Sequence, residues 1–293
     1  MEGLRRAAVA GSWYPRESTR LSAEVERYLA AASLDAVPAP RAVIAPHAGL
    51  MYSGQVAAFA YKAARETHYA AIVLVGPSHF VPFHGVSIWP TGAWQTPFGD
   101  LAVDEPLAAA IAEAAPAVVV ERADAHAREH SLELQLPFVA HLWPGTRIVP
   151  LVMGQQTRET AFALGEAIAG AVTARSPAMK PSKAGPDGGE PGGPRPEVLL
   201  VASSDLSHYE DARTAASMDT VVMQHVEAFD PDGLMSALEE EPRHACGGGP
   251  MVSVLYASRQ LGAAHARLLR RADSGDVSGD KSSVVGYLAA AIW

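Results

Sequence analysis

A single cysteine, Cys246, among 293 residues leaves no partner for an intrachain disulfide. A fold without that staple rests on packing, and a reducing compartment, the cytoplasm, is the expected location. No apolar run approaches the ~20 residues that a membrane-crossing helix needs, so no membrane association is expected. Residues 1–11 carry two arginines but too short an apolar stretch for a secretory leader. Positive charge is scarce: 23 Lys and Arg face 32 Asp and Glu, a formal net charge of −9. Such a chain repels phosphate backbones, which argues against a nucleic-acid partner. Nucleotide-binding glycine loops are missing as well. Gly247-Gly248-Gly249 is too short and no strand leads into it.

What is present is an ordinary globular composition, 48% hydrophobic and 19% charged. Short β-branched runs at 42–45, 71–75, 86–88, 148–152 and 198–202 read as buried strands, apolar on both faces and bounded by Pro, Gly or Ser. Between and after them, 53–65, 105–114, 131–142, 157–173, 212–228, 231–240 and 251–261 have the composition and apolar spacing of helices. Strand-like 267–271 and 283–290 close the chain. The alternation predicts one α/β domain over 1–293, with a mainly parallel central sheet flanked by helices. Residues 174–196 interrupt it with six prolines and five glycines. That composition buries too little apolar surface to offset its ordering entropy. It predicts a mobile surface loop inside the domain rather than a linker between two.

Three of the strands run into polar turns that carry chemistry: Pro46-His47-Ala48-Gly49, Gly76-Pro77-Ser78-His79 and Ser203-Ser204-Asp205-Leu206-Ser207-His208. Ligands of open parallel sheets bind beyond the carboxyl ends of strands. Singly, a histidine there is a turn residue more often than a ligand. Three such ends together favour a shared pocket. Cys246 lies in a Gly-rich turn ahead of a helix. It reads either as a small apolar residue or as a thiol whose thiolate the helix dipole favours, a ligand or a nucleophile. His126, Glu129 and His130 form a further cluster, without the order of a zinc-protease motif. Glu129 and His130 are compatible with capping, with orienting a metal-bound histidine, or with proton transfer. Trp13 and the aromatic turn at 92–99 either wall a pocket or cap the core.

Taken together the chain resembles the Memo family, called AmmeMemoRadiSam system protein B in prokaryotes. The resemblance rests on Ala10-Gly11-Ser12-Trp13-Tyr14-Pro15, on the His47 and His79 turns, and on Trp94-Gln95-Thr96-Pro97-Phe98-Gly99. It continues through Glu129-His130-Ser131-Leu132-Glu133, Ser203 to Tyr209, Cys246-Gly247 and Ser283-Val284-Val285-Gly286-Tyr287. It implies a fold like that of class III extradiol dioxygenases. It also implies a mononuclear pocket in which His47, His79 and Cys246 hold iron(II) or copper, zinc being less suited, with Asp205 and His208 beside them. The dioxygenases have a carboxylate where this pattern has a thiol, which weakens direct transfer of ring cleavage. The resemblance further implies functional association with AMMECR-type and radical SAM proteins.

Three functions are compatible with these residues. One is a metal-dependent redox enzyme in which Asp205, His208 and His130 serve as catalytic groups. Another is a binding or adaptor protein with a relic pocket, holding a small molecule or peptide. The third is a hydrolase with Cys246 as nucleophile.

Overall fold

The interior residues of the central strands are apolar and buried on both faces, which requires a layer on each side of the sheet. A computed structural model describes residues 3–175 and 197–293. Its first half runs β1 (Leu4–Arg5), α1 (Ser18–Ala31), β2 (Ala42–Ala45), α2 (Leu50–Ala64), β3 (Ala71–Pro77), β4 (Val86–Ile88), β5 (Ala93–Thr96), β6 (Gly99–Ala102), α3 (Glu105–Ala114), β7 (Val119–Val120), α4 (Ala123–Ala127) and α5 (Leu136–Leu142). Then come β8 (Arg147–Met153), α6 (Arg158–Arg175), β9 (Val198–Ser203), β10 (His208–Glu210), α7 (Ala212–Glu227), α8 (Pro231–Glu240), α9 (Gly248–Gln260), β11 (Ala266–Asp273), α10 (Gly275–Ser278) and β12 (Val284–Ile292).

The main sheet has the order β10-β12-β2-β9-β3-β8-β4-β7, with β11 paired to β12. Its centre, β2-β9-β3-β8, is parallel, as expected. Its flanks are not: β12 is antiparallel to β2, and β4 to β8. The sheet is therefore mixed, because the C-terminal strand turns back on β11 as a hairpin instead of arriving by a helical crossover. The period of two sorts its side chains. Val43, Leu74 and Val201 pack into the layer made by α1, α2 and α5. Ile44, Val73 and Leu200 face the layer made by α3, α6 and α9. Each such side chain contributes about 1.5–3 kcal/mol by leaving water. Among the described residues no helix is long and apolar enough to cross a membrane.

Several expectations shift. The helix read over 131–142 is a 3-10 turn at Glu133–Gln135 followed by α5. Pro137 sits in the first turn of α5, where its missing N–H costs nothing. Further into a helix it would break the ladder. The aromatic stretch 92–99 belongs to the hairpin β5-β6, and Trp94 is wholly buried in the core rather than lining a cavity. Of the loop read over 174–196, Ala174 and Arg175 complete α6, and residues 176–196 lie outside the described ones.

His126 is a core residue. Ser87 Oγ donates to Arg122 O (3.0 Å) and accepts from Arg122 N (3.1 Å). The His126 Nε2, 3.0 Å from the same oxygen, therefore carries the proton and donates it. Its Nδ1 is buried without a partner among the described residues. Burial, then the Arg5 charge, hold its pKa down at about 3. Unfolding returns it to about 6.5, so the unfolded chain takes up the proton first as the pH drops. Stability is complete above pH 6.5 and falls progressively down to about pH 3. His126 alone withdraws on the order of 4 kcal/mol across that window. Urea midpoints of the metal-free protein should therefore drop steadily below pH 6.5; a curve flat from pH 7 to 4 would contradict this reading.

Candidate metal centre

Because β2, β9 and β3 are neighbours and parallel, their carboxyl ends open at one edge of the sheet. His47 follows β2, Asp205 follows β9 and His79 follows β3, so the three polar turns meet there. They line a cavity of about 800 Å³ together with His130, His208 and Cys246. Every sequence-expected site residue is on its wall. His126 is not.

The tightest donor set is His47, His79 and His130, whose ligand nitrogens all lie within 4.8 Å of one another. The His79 and His130 rings stack at 4.5 Å, and His47 meets both edge-on at 5.2 and 5.6 Å. Cys246 borders the set, its Sγ 3.2 Å from His47 Nε2. Trp13 covers His130 at 4.4 Å, which settles its role as a pocket wall.

What sits behind the rings decides which nitrogen is free. The Ser203 hydroxyl gives its only proton to Ser131 O (2.6 Å) and accepts from Gln135 Nε2 (2.7 Å). The Gln135 amide is itself oriented, since its Oε1 accepts from the Tyr61 hydroxyl (2.8 Å) and its Nε2 also donates to Pro46 O (3.0 Å). His47 Nδ1, 2.9 Å from Ser203 Oγ, must therefore donate, which leaves Nε2 with its lone pair toward the cluster. His79 is set in the same way by a carboxylate. Glu129 Oε1 accepts from His79 Nδ1 (2.9 Å) and from the backbone N–H of His130 (2.9 Å) and Ser131 (2.8 Å); Oε2 accepts from His79 N (2.6 Å). Burial raises the Glu129 pKa, but His79 and these N–H groups outweigh it and hold it at about 2. Glu129 is thus an anion at neutral pH.

Two of the imidazoles, His47 and His130, are held in the neutral form. Burial, then the neighbouring His79, His130 and His208, push His47 well below 6.5. Burial and His79 lower His130 to about 4. Neutral imidazoles are what a metal requires. Asp205 moves the other way: burial raises its carboxyl above the usual range, while its Oδ1 accepts from His47 N at 2.8 Å. His208 donates from Nδ1 to Leu206 O (2.8 Å), so its Nε2 is available to the cavity.

Of the two readings of Cys246, the buried neutral thiol is the one favoured without a metal. Cys246 stands just ahead of α9, but burial, and then the Asp205 charge, raise its pKa far above that of a free thiol. The helix N-terminus does not prevail over desolvation. With His47 lowered and Cys246 raised, the pair stays a neutral S–H beside a neutral imidazole, not the ion pair of a cysteine hydrolase. A metal bound at this sulfur would reverse that balance, because a coordinated thiol loses its proton. Gly247 is required for the approach of this turn, since a Cβ there would lie 2.4 Å from Ser203 O. Sequence reasoning missed Ser203, Gln135 and Tyr61. Ser203 ends an apolar strand, and nothing in the local pattern signals a role for any of the three.

Fold and site together define an α/β domain with a histidine-rich pocket at the carboxyl edge of its parallel strands. Residues 5–180 and 193–291 match the family model described as Memo-like protein. A MEMO1 family protein of Methanothermobacter thermautotrophicus is 37% identical over 97% of this chain and 98% of its own. One from Sulfolobus acidocaldarius is 35% identical over 98% of each. In fold, the chain is similar to an uncharacterized protein from Escherichia coli K12, with a TM-score of 0.55 at 15% identity over 85% of this chain and 98% of that one. The chain belongs to the Memo family.

Proposed function

We propose that the protein holds one redox-active divalent metal, iron(II) or copper in preference to zinc, and acts with it on a small molecule in the cavity. The observation that carries this reading is the convergence of three imidazoles, with the free nitrogens of His47 and His79 set by Ser203 and Glu129. The residues fit a metal: imidazole nitrogen donors, an adjacent thiol and a buried carboxylate behind one ring. His47 and His79 are the fixed ligands and Cys246 supplies the sulfur beside His47. His130, stacked on His79, stands next to the metal and moves protons with Asp205 and His208. A bound iron or copper ion would supply one-electron chemistry at this point. The protein's own groups orient the ligand, hold His47 and His130 neutral and wall the pocket with Trp13.

Thiolate ligation is read directly with copper(II). The loaded protein should show an intense sulfur-to-copper absorption band. Cys246→Ala should lose the band, whereas His130→Ala should keep both band and metal. If Cys246→Ala retained it, the sulfur would not be a ligand; if His130→Ala lost the metal, the third donor would be an imidazole.

A further inference from the structure

The outer part of the cavity differs from its floor. Trp13, Tyr52 and Tyr209 stand at the mouth, 38%, 37% and 77% exposed, whereas His47 on the floor is 1% exposed. Tyr209 is held outward by a left-handed backbone, φ 63°, an unusual conformation for a bulky residue. Among the described residues lining the cavity there is neither Lys nor Arg. The charged wall residue at the mouth is Asp280. Its Oδ1 accepts from Ser282 N (2.8 Å) and Ser282 Oγ (2.7 Å), leaving Oδ2 with no partner among the described residues. The adjacent cation is already engaged, because Lys281 Nζ binds Asp273 Oδ1 (2.7 Å) and Asp276 Oδ1 (2.5 Å). Guanidinium groups lie over Trp94, Tyr28, Phe80 and other rings elsewhere, but among the described residues none lies over Trp13, Tyr52 or Tyr209.

The geometry points to an organic cation as the ligand of this cavity: an amine-bearing or quaternary ammonium compound with an apolar body. The ammonium lies at the mouth among Trp13, Tyr52, Tyr209 and Asp280, and the body extends inward. Aromatic rings with no guanidinium over them attract a cation through the ring quadrupole, and the unpaired carboxylate oxygen adds a charged partner. At the mouth, a carboxylate or phosphate group would meet Asp280 with no Lys or Arg of the cavity lining to receive it. The cavity volume, about 800 Å³, matches small-molecule sites. The net charge of −9 draws cations toward the surface before they reach the mouth. The inference rests on the proposed metal centre only for what the inner end of the ligand meets.

The test is calorimetric titration of the full chain with three probes sharing one aryl body: phenethylammonium, phenethyl alcohol and phenylpropionate. The ammonium should bind about tenfold more tightly than the alcohol, with phenylpropionate weakest. Asp280→Asn should erase most of the ammonium's advantage and leave the alcohol unchanged. Trp13→Ala should weaken the ammonium more than the alcohol. Equal or tighter binding of phenylpropionate overturns the inference. So does failure of all three to bind, or an Asp280→Asn variant that lowers ammonium and alcohol alike. Running the series on metal-stripped and metal-loaded protein separates this claim from the other. Ammonium selectivity in a protein that binds no metal would reject the metal centre and keep the cation site.

Discussion

Replacing Glu129 by Gln should lower metal affinity about 10–100-fold and destabilise the metal-free protein by roughly 2–4 kcal/mol. The carboxylate is fully buried and accepts from the His79 ring and from three backbone N–H groups. An amide of the same shape turns one of those acceptors into a donor facing a donor. It also removes the charge that keeps the proton of His79 on Nδ1, so the ring is free to present the wrong nitrogen. Stability and affinity are thus lost together, through the same atoms. Urea unfolding and metal titration of Glu129→Gln measure both. A variant within twofold of the parent in affinity would show that His79 does not depend on Glu129 for its orientation.

Asp205 and His208 should behave differently, with function lost and the fold kept. Asp205→Asn retains an oxygen for His47 N and removes a carboxylate whose charge burial already opposes. Its stability should change by less than about 1 kcal/mol, since the acceptor remains. Metal affinity should fall by about tenfold, because one negative charge beside the cation is gone. His208→Ala removes a partly exposed ring whose ring nitrogen bonds Leu206 O, so metal and stability should be spared. Any redox turnover should fall by about 10²–10⁴, the usual contribution of a positioned proton-transfer group. Thermal melts, metal titrations and turnover on the two variants decide. Clear destabilisation with normal metal affinity would assign both residues to structure alone.

The parallel centre of the fold was legible because its strands are short, β-branched and apolar on both faces; β2, β4, α3 and α8 have the bounds read from sequence. Helix α1 went unread although Leu21, Val25, Tyr28 and Leu29 form a buried stripe at helical spacing. Its first turn has no acidic residue and Glu17 makes no side-chain cap, so the usual start signal is missing. The antiparallel flanks were not legible, because register and strand order depend on long-range pairing. At the site, His47, His79, Asp205 and Cys246 were visible as polar residues at strand ends or in a glycine turn. Ser203, Gln135 and Tyr61 were not, because what they do depends on one approach in space across three elements. Cys246 shows the same limit: local context offered the helix dipole, while the burial that raises its pKa is a property of the whole fold.

Metal analysis of anaerobically purified protein, with His47→Ala/His79→Ala alongside, tests the central claim most directly. The parent chain should carry one iron or copper ion per chain, and the double variant, still folded, should carry none. An unchanged stoichiometry in the double variant would place the metal elsewhere and contradict the account.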